Sequence, residues 1–354
     1  MAQIKTLLIR ADANSNIGTG HVMRCLALAQ AWQDKSGKVT FLMAPGSPLL
    51  EQRIFAEGMN VLTLTQQLGS NADAVITAEI AKKNEFSWVV VDGYQFGAGY
   101  QKILKKYNCN ILFLDDYGHA DHYYADIVLN QNIYADMSFY KNYEPYTRFL
   151  LGSKFVLLRR EFLNWLGCNR TIPEVACKVL VTFGGSDSDN ITLKVIEVLK
   201  QINIDCLEVV AVVGGINQNY KTLQESVKDR ICFSIRENVT NMPELMLWAD
   251  VSISAGGSTC WELAFTGLPN LIITLSTDQE LIASELSKQG VSMVLGKSGE
   301  FTESFLINAI SEVIYSPGIR SIMSQNGKKI VDGNGSYRVT SALNYNLSII
   351  EGST

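Results

Sequence analysis

Short apolar segments of strand length alternate with helical patterns along the chain, and this alternation starts twice. The first series of strand-like segments lies near residues 6–9, 39–43, 61–64, 88–91, 111–114 and 127–129. A second series begins after Pro173, near residues 179–182, 209–213, 231–233, 251–254, 271–273 and 293–295. Strands that alternate with helices form parallel sheets covered by helices. The sequence therefore predicts an α/β protein with two Rossmann-like domains.

The two series also predict domain boundaries. A chain of 354 residues is longer than most single domains. We predict an N-terminal domain over residues 1–165 and a C-terminal domain over residues 174–330, joined by a polar, irregular stretch. The last helix, within residues 331–354, is a candidate to cross back onto the first domain. We expect an interdomain cleft at the C-terminal ends of the strands, where such folds bind ligands.

Composition argues against several classes of protein. The net charge of −5 and the scattered basic residues do not favour nucleic-acid binding. No apolar run is long enough to span a membrane and the N-terminus lacks a signal-peptide pattern, so we expect a cytoplasmic protein. The seven cysteines form no Cys-x-x-Cys pair, and we expect them to be reduced and mostly buried. Cys260 is interpreted as a small core residue, with a reactive thiol as the alternative.

The junction between the first strand and the first helix carries the strongest functional signal. It reads Ile17-Gly18-Thr19-Gly20-His21, and helical apolar spacing follows. Gly18 and Gly20 allow the backbone to approach a ligand closely, and the free N–H groups of a helix start attract an anion. The dipole at a helix N-terminus also favours the neutral, basic form of an imidazole. His21 is therefore a candidate general base.

Polar residues follow several strands of the first half, at the edge of the sheet where ligands bind. They are Asp12, Asp92, Tyr94, Asp115 and Asp116. Asp12 is a candidate to orient His21 or to hold a sugar hydroxyl, with turn formation as the alternative. Tyr94 follows a continuously apolar strand and is expected to touch a substrate.

Metal, ATP and nicotinamide sites have little support in the sequence. Asp115 and Asp116 are adjacent carboxylates, but the residues that follow are typical of a turn, so we interpret both as turn and capping residues. His119 and His122 are interpreted as surface loop residues. The chain has no Walker A lysine motif, and its first glycine turn lacks the third glycine of the dinucleotide fingerprint. We therefore predict no required metal or organic cofactor.

Two glycine turns of the second half follow strands and precede helices. The first, Gly184-Gly185-Ser186, is a weak phosphate signal, since a plain tight turn is about as common. The second contains Gly256-Gly257-Ser258-Thr259 and offers N–H groups, hydroxyls and a helix dipole to a diphosphate. Glu262 lies one helical turn beyond Ser258. It is a candidate to accept both hydroxyls of a ribose, with a solvated helix glutamate as the alternative.

Together these motifs resemble those of a known family. The chain resembles the UDP-sugar hydrolases of the pseudaminic acid pathway, which are similar to the muramyl-pathway N-acetylglucosaminyltransferases. The resemblance covers nearly the whole chain. It is carried by Arg10-x-Asp12, Gly18-x-Gly20-His21-x-x-Arg24, Asp92-x-Tyr94, Asp115-Asp116, Gly184-Gly185-Ser186-Asp187, Asn241-Met242-Pro243-Glu244-Leu245 and Gly256-Gly257-Ser258-Thr259-x-Trp261-Glu262. The histidine motif is fairly specific to the hydrolases, whereas the last motif is shared with the wider GT-B group.

The resemblance implies a GT-B arrangement, in which the C-terminal domain holds UDP and the N-terminal domain acts at the anomeric carbon. His21 matches the family's general base. Water would attack C1 from the face opposite UDP and release a free 2,4-diacetamido-2,4,6-trideoxyhexose with inversion. By the same resemblance Tyr94 would meet the sugar, and Asn241, Met242 and Leu245 would lie against uracil. The implied partner is a small-molecule UDP-sugar.

One departure from the family bears on which sugar is accepted. This chain has Asp278-Gln279 where the family has Asn-Gln, so an acid replaces an amide. Three other functions stay open at this stage. They are a GT-B glycosyltransferase with a UDP-sugar donor, a hydrolysing 2-epimerase, and a non-catalytic nucleotide-sugar-binding protein. The sequence also leaves the oligomeric state open.

Overall fold

The computed structural model describes residues 5–14, 17–184, 187, 189–215 and 217–351. The chain divides into two compact units. The first comprises Met1–Arg160 and Gly333–Thr354, and the second comprises Glu161–Asp332. Each unit contains one parallel sheet, of seven strands in the first and six in the second. The predicted α/β fold with two Rossmann-like domains is therefore confirmed.

The first unit contains seven parallel strands in the order β3-β2-β1-β4-β5-β6-β7. The strands are β1 (Thr6–Ala11), β2 (Lys38–Met43), β3 (Asn60–Thr63), β4 (Trp88–Asp92), β5 (Ile111–Leu114), β6 (Ile127–Asn130) and β7 (Arg148–Leu151). The helices that accompany them are α1 (Gly20–Gln33), α2 (Pro48–Ala56), α3 (Asn71–Lys83), α4 (Ala98–Lys106) and, from the end of the chain, α13 (Gly335–Glu351).

The apolar strands of this sheet supply a core on each face. Successive side chains of a strand point to opposite faces, so each central strand contributes to both cores. Leu7 and Ile9 of β1 belong to the cluster that includes residues of α1 and α13. Leu8 belongs to the opposite cluster, with residues of α3 and α4. Every residue of β4 is buried, as expected for a central parallel strand.

Strand β7 was not predicted from the sequence. It has only four residues, begins with the exposed Arg148, and completes the sheet by pairing with β6. Two single-turn 3-10 helices, Met137–Phe139 and Ser153–Phe155, flank it in the chain. The stretch expected to be irregular, residues 159–173, contains a short helix, α5 (Arg160–Leu163).

The second unit contains six parallel strands in the order β10-β9-β8-β11-β12-β13. They are β8 (Lys178–Thr182), β9 (Glu208–Val213), β10 (Phe233–Glu237), β11 (Val251–Ser254), β12 (Asn270–Thr274) and β13 (Ser292–Lys297). The helices are α6 (Ile191–Gln201), α7 (Tyr220–Val227), α8 (Met242–Trp248), α9 (Thr259–Thr266), α10 (Thr277–Lys288), α11 (Glu303–Tyr315) and α12 (Pro317–Ile330).

Two expectations for the second unit were wrong in detail. The strand predicted near residues 231–233 begins at Phe233 instead, because Ile231 is fully exposed and Phe233 is the first residue to pair with β9. The cysteines are not all reduced, since a disulfide joins Cys177 to Cys206 across a Cα separation of 5.4 Å. These cysteines precede the adjacent strands β8 and β9, so their proximity follows from strand pairing rather than from sequence spacing.

The last helix is part of the first unit. Val339 and Leu343 of α13 are fully buried in the same core as α1, and Lys5 donates to Asn344 at 3.2 Å. Within the part of the chain that the structure describes, no helix is both long and apolar enough to cross a bilayer.

Candidate functional site

The strand order of the first unit creates a crevice at the ends of two neighbouring strands. The chain runs from β1 outward to β3 and then returns to β4, on the other side of β1. The loops after β1 and β4 therefore diverge, and parallel α/β sheets bind ligands at such a reversal. His21 follows β1 as the second residue of α1, and Asp92 is the last residue of β4.

His21 and Asp92 form a buried pair at this point. The Nδ1 atom of His21 lies 2.7 Å from Oδ1 of Asp92, whose side chain is fully buried. Burial alone would raise the pKa of the Asp92 carboxyl, but Arg24 and His21 outweigh burial and hold that pKa well below its usual range. An ionised carboxylate only accepts, so Nδ1 carries the proton and Nε2 of the neutral ring is the basic atom. No side chain of the described residues hydrogen-bonds this Nε2.

Arg24 holds the Asp92 carboxylate beside the imidazole, with its Nη2 atom 3.3 Å from His21 Nδ1. It lies one helical turn after His21 and donates from Nε to Oδ2 and from Nη2 to Oδ1 of Asp92, each at 2.7 Å. Its Nη1 donates to Asp116 at 2.7 Å. Burial would lower the pKa of Arg24, but Asp116 and Asp92 raise it well above its usual value. Arg24 was not predicted as a site residue, although the His-x-x-Arg spacing puts both side chains on one helix face.

Asp116 is the second carboxylate of the cluster. Besides Arg24, it accepts hydrogen bonds from Asn132 Nδ2 at 2.8 Å and from the Tyr94 hydroxyl at 2.9 Å. Burial would raise the pKa of Asp116, but Arg24 lowers it, so the group stays ionised. One cation against two carboxylates leaves an excess of one negative charge beside His21. This excess stabilises the imidazolium that forms when Nε2 takes a proton.

Tyr94 gives the cluster an exposed aromatic surface. Its ring meets the His21 ring edge-on, with centroids 5.0 Å apart, and 42% of the residue is exposed. The hydroxyl is anchored by Asp116, so the ring has a defined orientation beside the imidazole. The structure therefore brings together His21 and Tyr94, two of the three side chains predicted to be catalytic.

Asp12, the third, has a different environment from the one expected. Its Oδ1 lies 2.7 Å from Arg10 Nη1 and accepts from the backbone N–H of Ala44 at 2.7 Å. Its Oδ2 accepts from Gln95 at 3.2 Å. Arg10 is in turn held by Asp73, in a fully buried pair. The prediction that Asp12 orients His21 was therefore wrong, because Arg10 holds Asp12 and Asp92 takes that place. A role at a sugar hydroxyl stays a prediction.

The glycine turn before His21 has the expected local geometry. Gly18 has a φ of +76°, which disfavours a side chain, and its N–H donates to Asn14 at 2.8 Å. Gly20 is the first residue of α1. Thr19 precedes it without a side-chain capping bond, and the first turn of the helix contains no acidic residue.

The loop after β5 contains Asp115 and Asp116, both predicted to be turn residues. The prediction was wrong for Asp116, whose carboxylate accepts from the side chains of Arg24, Asn132 and Tyr94. Asp115 accepts from the backbone N–H groups of Tyr117 and Gly118, each at 3.0 Å, which confirms its turn role. His122 is partly exposed and pairs with Glu144 at 3.0 Å. His119 was wrongly expected at the surface, since only 10% of its side chain is exposed.

The second unit repeats the crevice between β8 and β11, where its strand order reverses. Gly184 follows β8 and has a φ of +83°, whereas the predicted phosphate residues Gly185 and Ser186 lie outside the described residues. Asp187 accepts from the N–H groups of Ile191 and Thr192, at 2.8 and 3.0 Å. This buried carboxylate already occupies the N-terminus of α6. Of these two helix N-termini, that of α9 is therefore the better anion site.

The glycine turn after β11 leads into α9 and is held by Gln279. The Gly256 N–H donates to Gln279 Oε1 at 3.2 Å, and a Cβ at Gly256 would lie 2.9 Å from the Gln279 carbonyl oxygen. Ser258 precedes the helix without a side-chain capping bond. Within the described part of the chain, the N–H groups of Gly257, Ser258 and Thr259 have no acceptor. They can bind an anion.

The other residues predicted to bind the substrate lie in α8, α9 and α10 or directly before them. Glu262 is partly buried in the first turn of α9, and Asp278 is exposed in the first turn of α10. Asn241 precedes α8 and donates to Glu244 at 2.7 Å. Met242 and Leu245 are buried, with 8% and 6% exposure, so their side chains offer little surface to a base. The sequence could not show whether Met242 and Leu245 contact a base or fill the core, because apolar side chains suit both roles.

Cys260 and the acidic and histidine side chains were also considered as a reactive thiol and as metal ligands. Cys260 is buried in α9, and burial raises the pKa of its thiol to about 12, which confirms a core residue rather than a reactive thiol. Among the described residues, no group of three or more histidine, cysteine or acidic side chains is arranged to hold a metal ion.

Comparison with known proteins agrees with this architecture. Residues 178–332 match the glycosyltransferase family 28 C-terminal domain. The chain is 25% identical over 337 residues to the spore coat polysaccharide biosynthesis protein SpsG of Bacillus subtilis, covering 95% of this chain and 96% of that protein. It is 27% identical to the UDP-2,4-diacetamido-2,4,6-trideoxy-beta-L-altropyranose hydrolase of Campylobacter jejuni, over 80% and 97% of the two chains. The predicted resemblance to the hydrolases is therefore confirmed.

A solved structure shares the fold. The crystal structure of Acinetobacter baumannii MurG matches with a TM-score of 0.64 at 16% identity, over 96% of this chain and 99% of that one. This likeness establishes the fold alone. The relatives above support an enzymatic role, and the fold is compatible with both hydrolysis and glycosyl transfer.

Proposed function

We propose that the protein hydrolyses a UDP-2,4-diacetamido-2,4,6-trideoxyhexose to UDP and the free sugar, with inversion at C1, in a nonulosonic acid pathway. The observation that carries the proposal is the buried His21–Asp92–Arg24 arrangement. It leaves one basic ring nitrogen without a protein partner among the described side chains. The hydrolase relative of Campylobacter jejuni supplies the substrate class.

The first unit would supply the base. A water molecule is a weak nucleophile, and an adjacent neutral imidazole assists it by taking its proton as the bond to C1 forms. Asp92 stabilises the resulting imidazolium, and Arg24 keeps Asp92 ionised throughout the cycle. In this mechanism Tyr94 would contact the sugar beside His21.

The second unit would hold the nucleotide. UDP departs as a stable anion, so donors toward its phosphates assist departure without a strong acid. The N–H groups of Gly257, Ser258 and Thr259 at the start of α9 suit this role, with Glu262 on the ribose. Glycosyl transfer needs the same donor site and the same base, so the two reactions differ in what accepts the sugar.

The experiment that tests the proposal removes the acceptor. Purified protein is incubated with UDP-2,4-diacetamido-2,4,6-trideoxyhexoses alone, and UDP release and the anomeric proton are followed by NMR. We expect UDP release with an inverted free sugar, and the accepted isomer identifies the substrate. Binding without release would reject hydrolysis and favour a transferase or a binding protein.

Replacing Glu262 by alanine is expected to weaken UDP binding about tenfold to hundredfold, as for loss of a hydrogen bond to a charged group. The measurement is calorimetric titration with UDP. Glu285→Ala is the matched control, because Glu285 is paired with Lys288 on α10 and has no proposed role. Equal UDP affinity of the Glu262 variant and the control would remove the ribose assignment.

A further inference from the structure

His119 is held between two loops of the first unit. Its Nδ1 atom lies 3.2 Å from Oδ1 of Asp115, in its own loop after β5. Its Nε2 atom lies 3.1 Å from the carbonyl oxygen of Phe96, in the loop between β4 and α4. The ring is nine-tenths buried. A single side chain therefore joins the two loops.

Both partners of this ring are acceptors only. A backbone carbonyl cannot donate, and the Asp115 carboxylate already accepts from Tyr117, Gly118 and the Tyr123 hydroxyl. Burial would raise the pKa of Asp115, but its bonds to His119 and Tyr123 lower it, so the group is ionised. A neutral imidazole donates one hydrogen bond only. The geometry is therefore satisfied in full by the imidazolium form of His119.

The groups around His119 favour this positive charge. Asp115 and, at longer range, Asp116 attract it, while the Tyr94 and Tyr117 rings lie near it with centroids 5.9 and 5.8 Å away. The apolar ring of Phe113, on β5, lies beside it with a centroid distance of 5.6 Å. Burial would lower the pKa of His119, but the bonds to Asp115 and Phe96 raise it above its usual value.

The two joined loops carry parts of the site already described. Tyr94 lies two residues before Phe96, and Asp116, which anchors the Tyr94 hydroxyl, directly follows Asp115. Loss of the proton from His119 removes one of its two hydrogen bonds. Since Tyr94 is aligned from both loops, this loss loosens its position beside His21.

We propose that protonated His119 is a positioning residue that ties the Tyr94 loop to the Asp115–Asp116 loop, so that its deprotonation sets the alkaline limit of activity. The part that concerns activity rests on the proposed function. His119 must be charged to hold both loops, so the loss of its charge sets the alkaline limit of activity. The stabilisation from His119 is present at low pH and is lost as the pH rises through its raised pKa.

The first test compares pH profiles of kcat/KM for the wild type, His119→Gln and His122→Gln. The glutamine amide does not titrate. Its carbonyl oxygen is an acceptor only, so it cannot replace both donating ring nitrogens of the imidazolium. We expect His119→Gln to lower kcat/KM about tenfold near neutral pH and to lose the alkaline limb. His122→Gln, from the same loop, should keep the wild-type profile. An alkaline limb that persists in His119→Gln overturns the proposal.

The second test needs no substrate. Two-dimensional NMR of ¹⁵N-histidine-labelled protein follows the three rings, which the single variants assign. We expect the His119 ring to carry protons on both nitrogens at neutral pH. A neutral His119 ring at pH 7 overturns the proposal. If the assay finds no hydrolysis while His119 stays charged, the proposed function fails. The proposal that His119 joins the two loops then still stands.

Discussion

Replacing His21 by glutamine is expected to lower kcat for UDP release by about 10²–10⁴-fold, the range for loss of a general base. Glutamine has a similar size and can hydrogen-bond to Asp92, but it has no basic nitrogen to take a proton from water. The Kd for UDP should stay within about threefold, because such a residue acts mainly in the transition state. Steady-state kinetics and calorimetric titration measure the two quantities.

The control for this prediction is His122→Gln, which removes an imidazole that pairs with Glu144 away from the cluster. It should retain full activity. If His21→Gln turned over at a rate within threefold of the control, another residue would have to activate the water. A large rise in Kd for UDP at unchanged kcat would instead assign His21 to ground-state binding.

Much of the fold follows from local apolar patterning. The continuously apolar segment near residues 88–91 was predicted as a strand, and the resulting β4 lies between β1 and β5 with every residue buried. Strand β7 escaped prediction because its four residues begin with an exposed arginine and acquire meaning only beside β6. The Cys177–Cys206 disulfide escaped for the same reason, since its partners become neighbours through the pairing of β8 with β9.

The candidate site was predicted in part. His21 and Tyr94 were selected correctly as neighbours of one crevice, because strand C-termini of parallel sheets converge there. The carboxylate that contacts His21 could not be chosen from sequence, since Asp92 ends β4 and Asp12 directly follows β1. Arg10, two residues before Asp12, holds Asp12. The contact of Asp92 with His21 depends on the register that pairs Ala11 of β1 with Asp92 of β4.

Arg24 could not be identified as a site residue by considering the sequence one residue at a time. On sequence alone it is one more basic residue on an amphipathic helix, and such residues usually lie in solvent. Its importance comes from two carboxylates, Asp92 and Asp116, which neighbouring strands bring within 2.7 Å of it. Two buried carboxylates this close together need a cation to stay ionised, and Arg24 supplies both the charge and the forked geometry.

Replacing Arg24 by methionine is therefore expected to destabilise the protein strongly. Methionine fills similar volume but leaves Asp92 and Asp116 buried without a cation. Breaking a buried ion pair by removing one partner typically costs about 3–5 kcal/mol of unfolding free energy. Arg24→Lys should lose less, because it keeps the charge but not the fork that bonds both carboxylates. The measurement is Tm by calorimetry at pH 8, with Arg53→Met as the control from the partly exposed Arg53–Glu57 pair of α2.

The pH dependence of this loss separates an electrostatic cause from simple loss of packing. In the wild type the pKa of Asp92 is depressed, so its stabilising contribution is present at neutral pH and is lost as the pH falls through that low value. In Arg24→Met, burial without a cation raises the pKa of both carboxylates. Their protonation between pH 8 and pH 5 then removes the unpaired buried charges and recovers part of the lost stability. The gap in Tm between variant and wild type should therefore narrow toward pH 5. A gap that stays constant over this range would assign the loss to packing, and a gap no larger than that of Arg53→Met would mean that Arg24 is not needed to keep the carboxylates together.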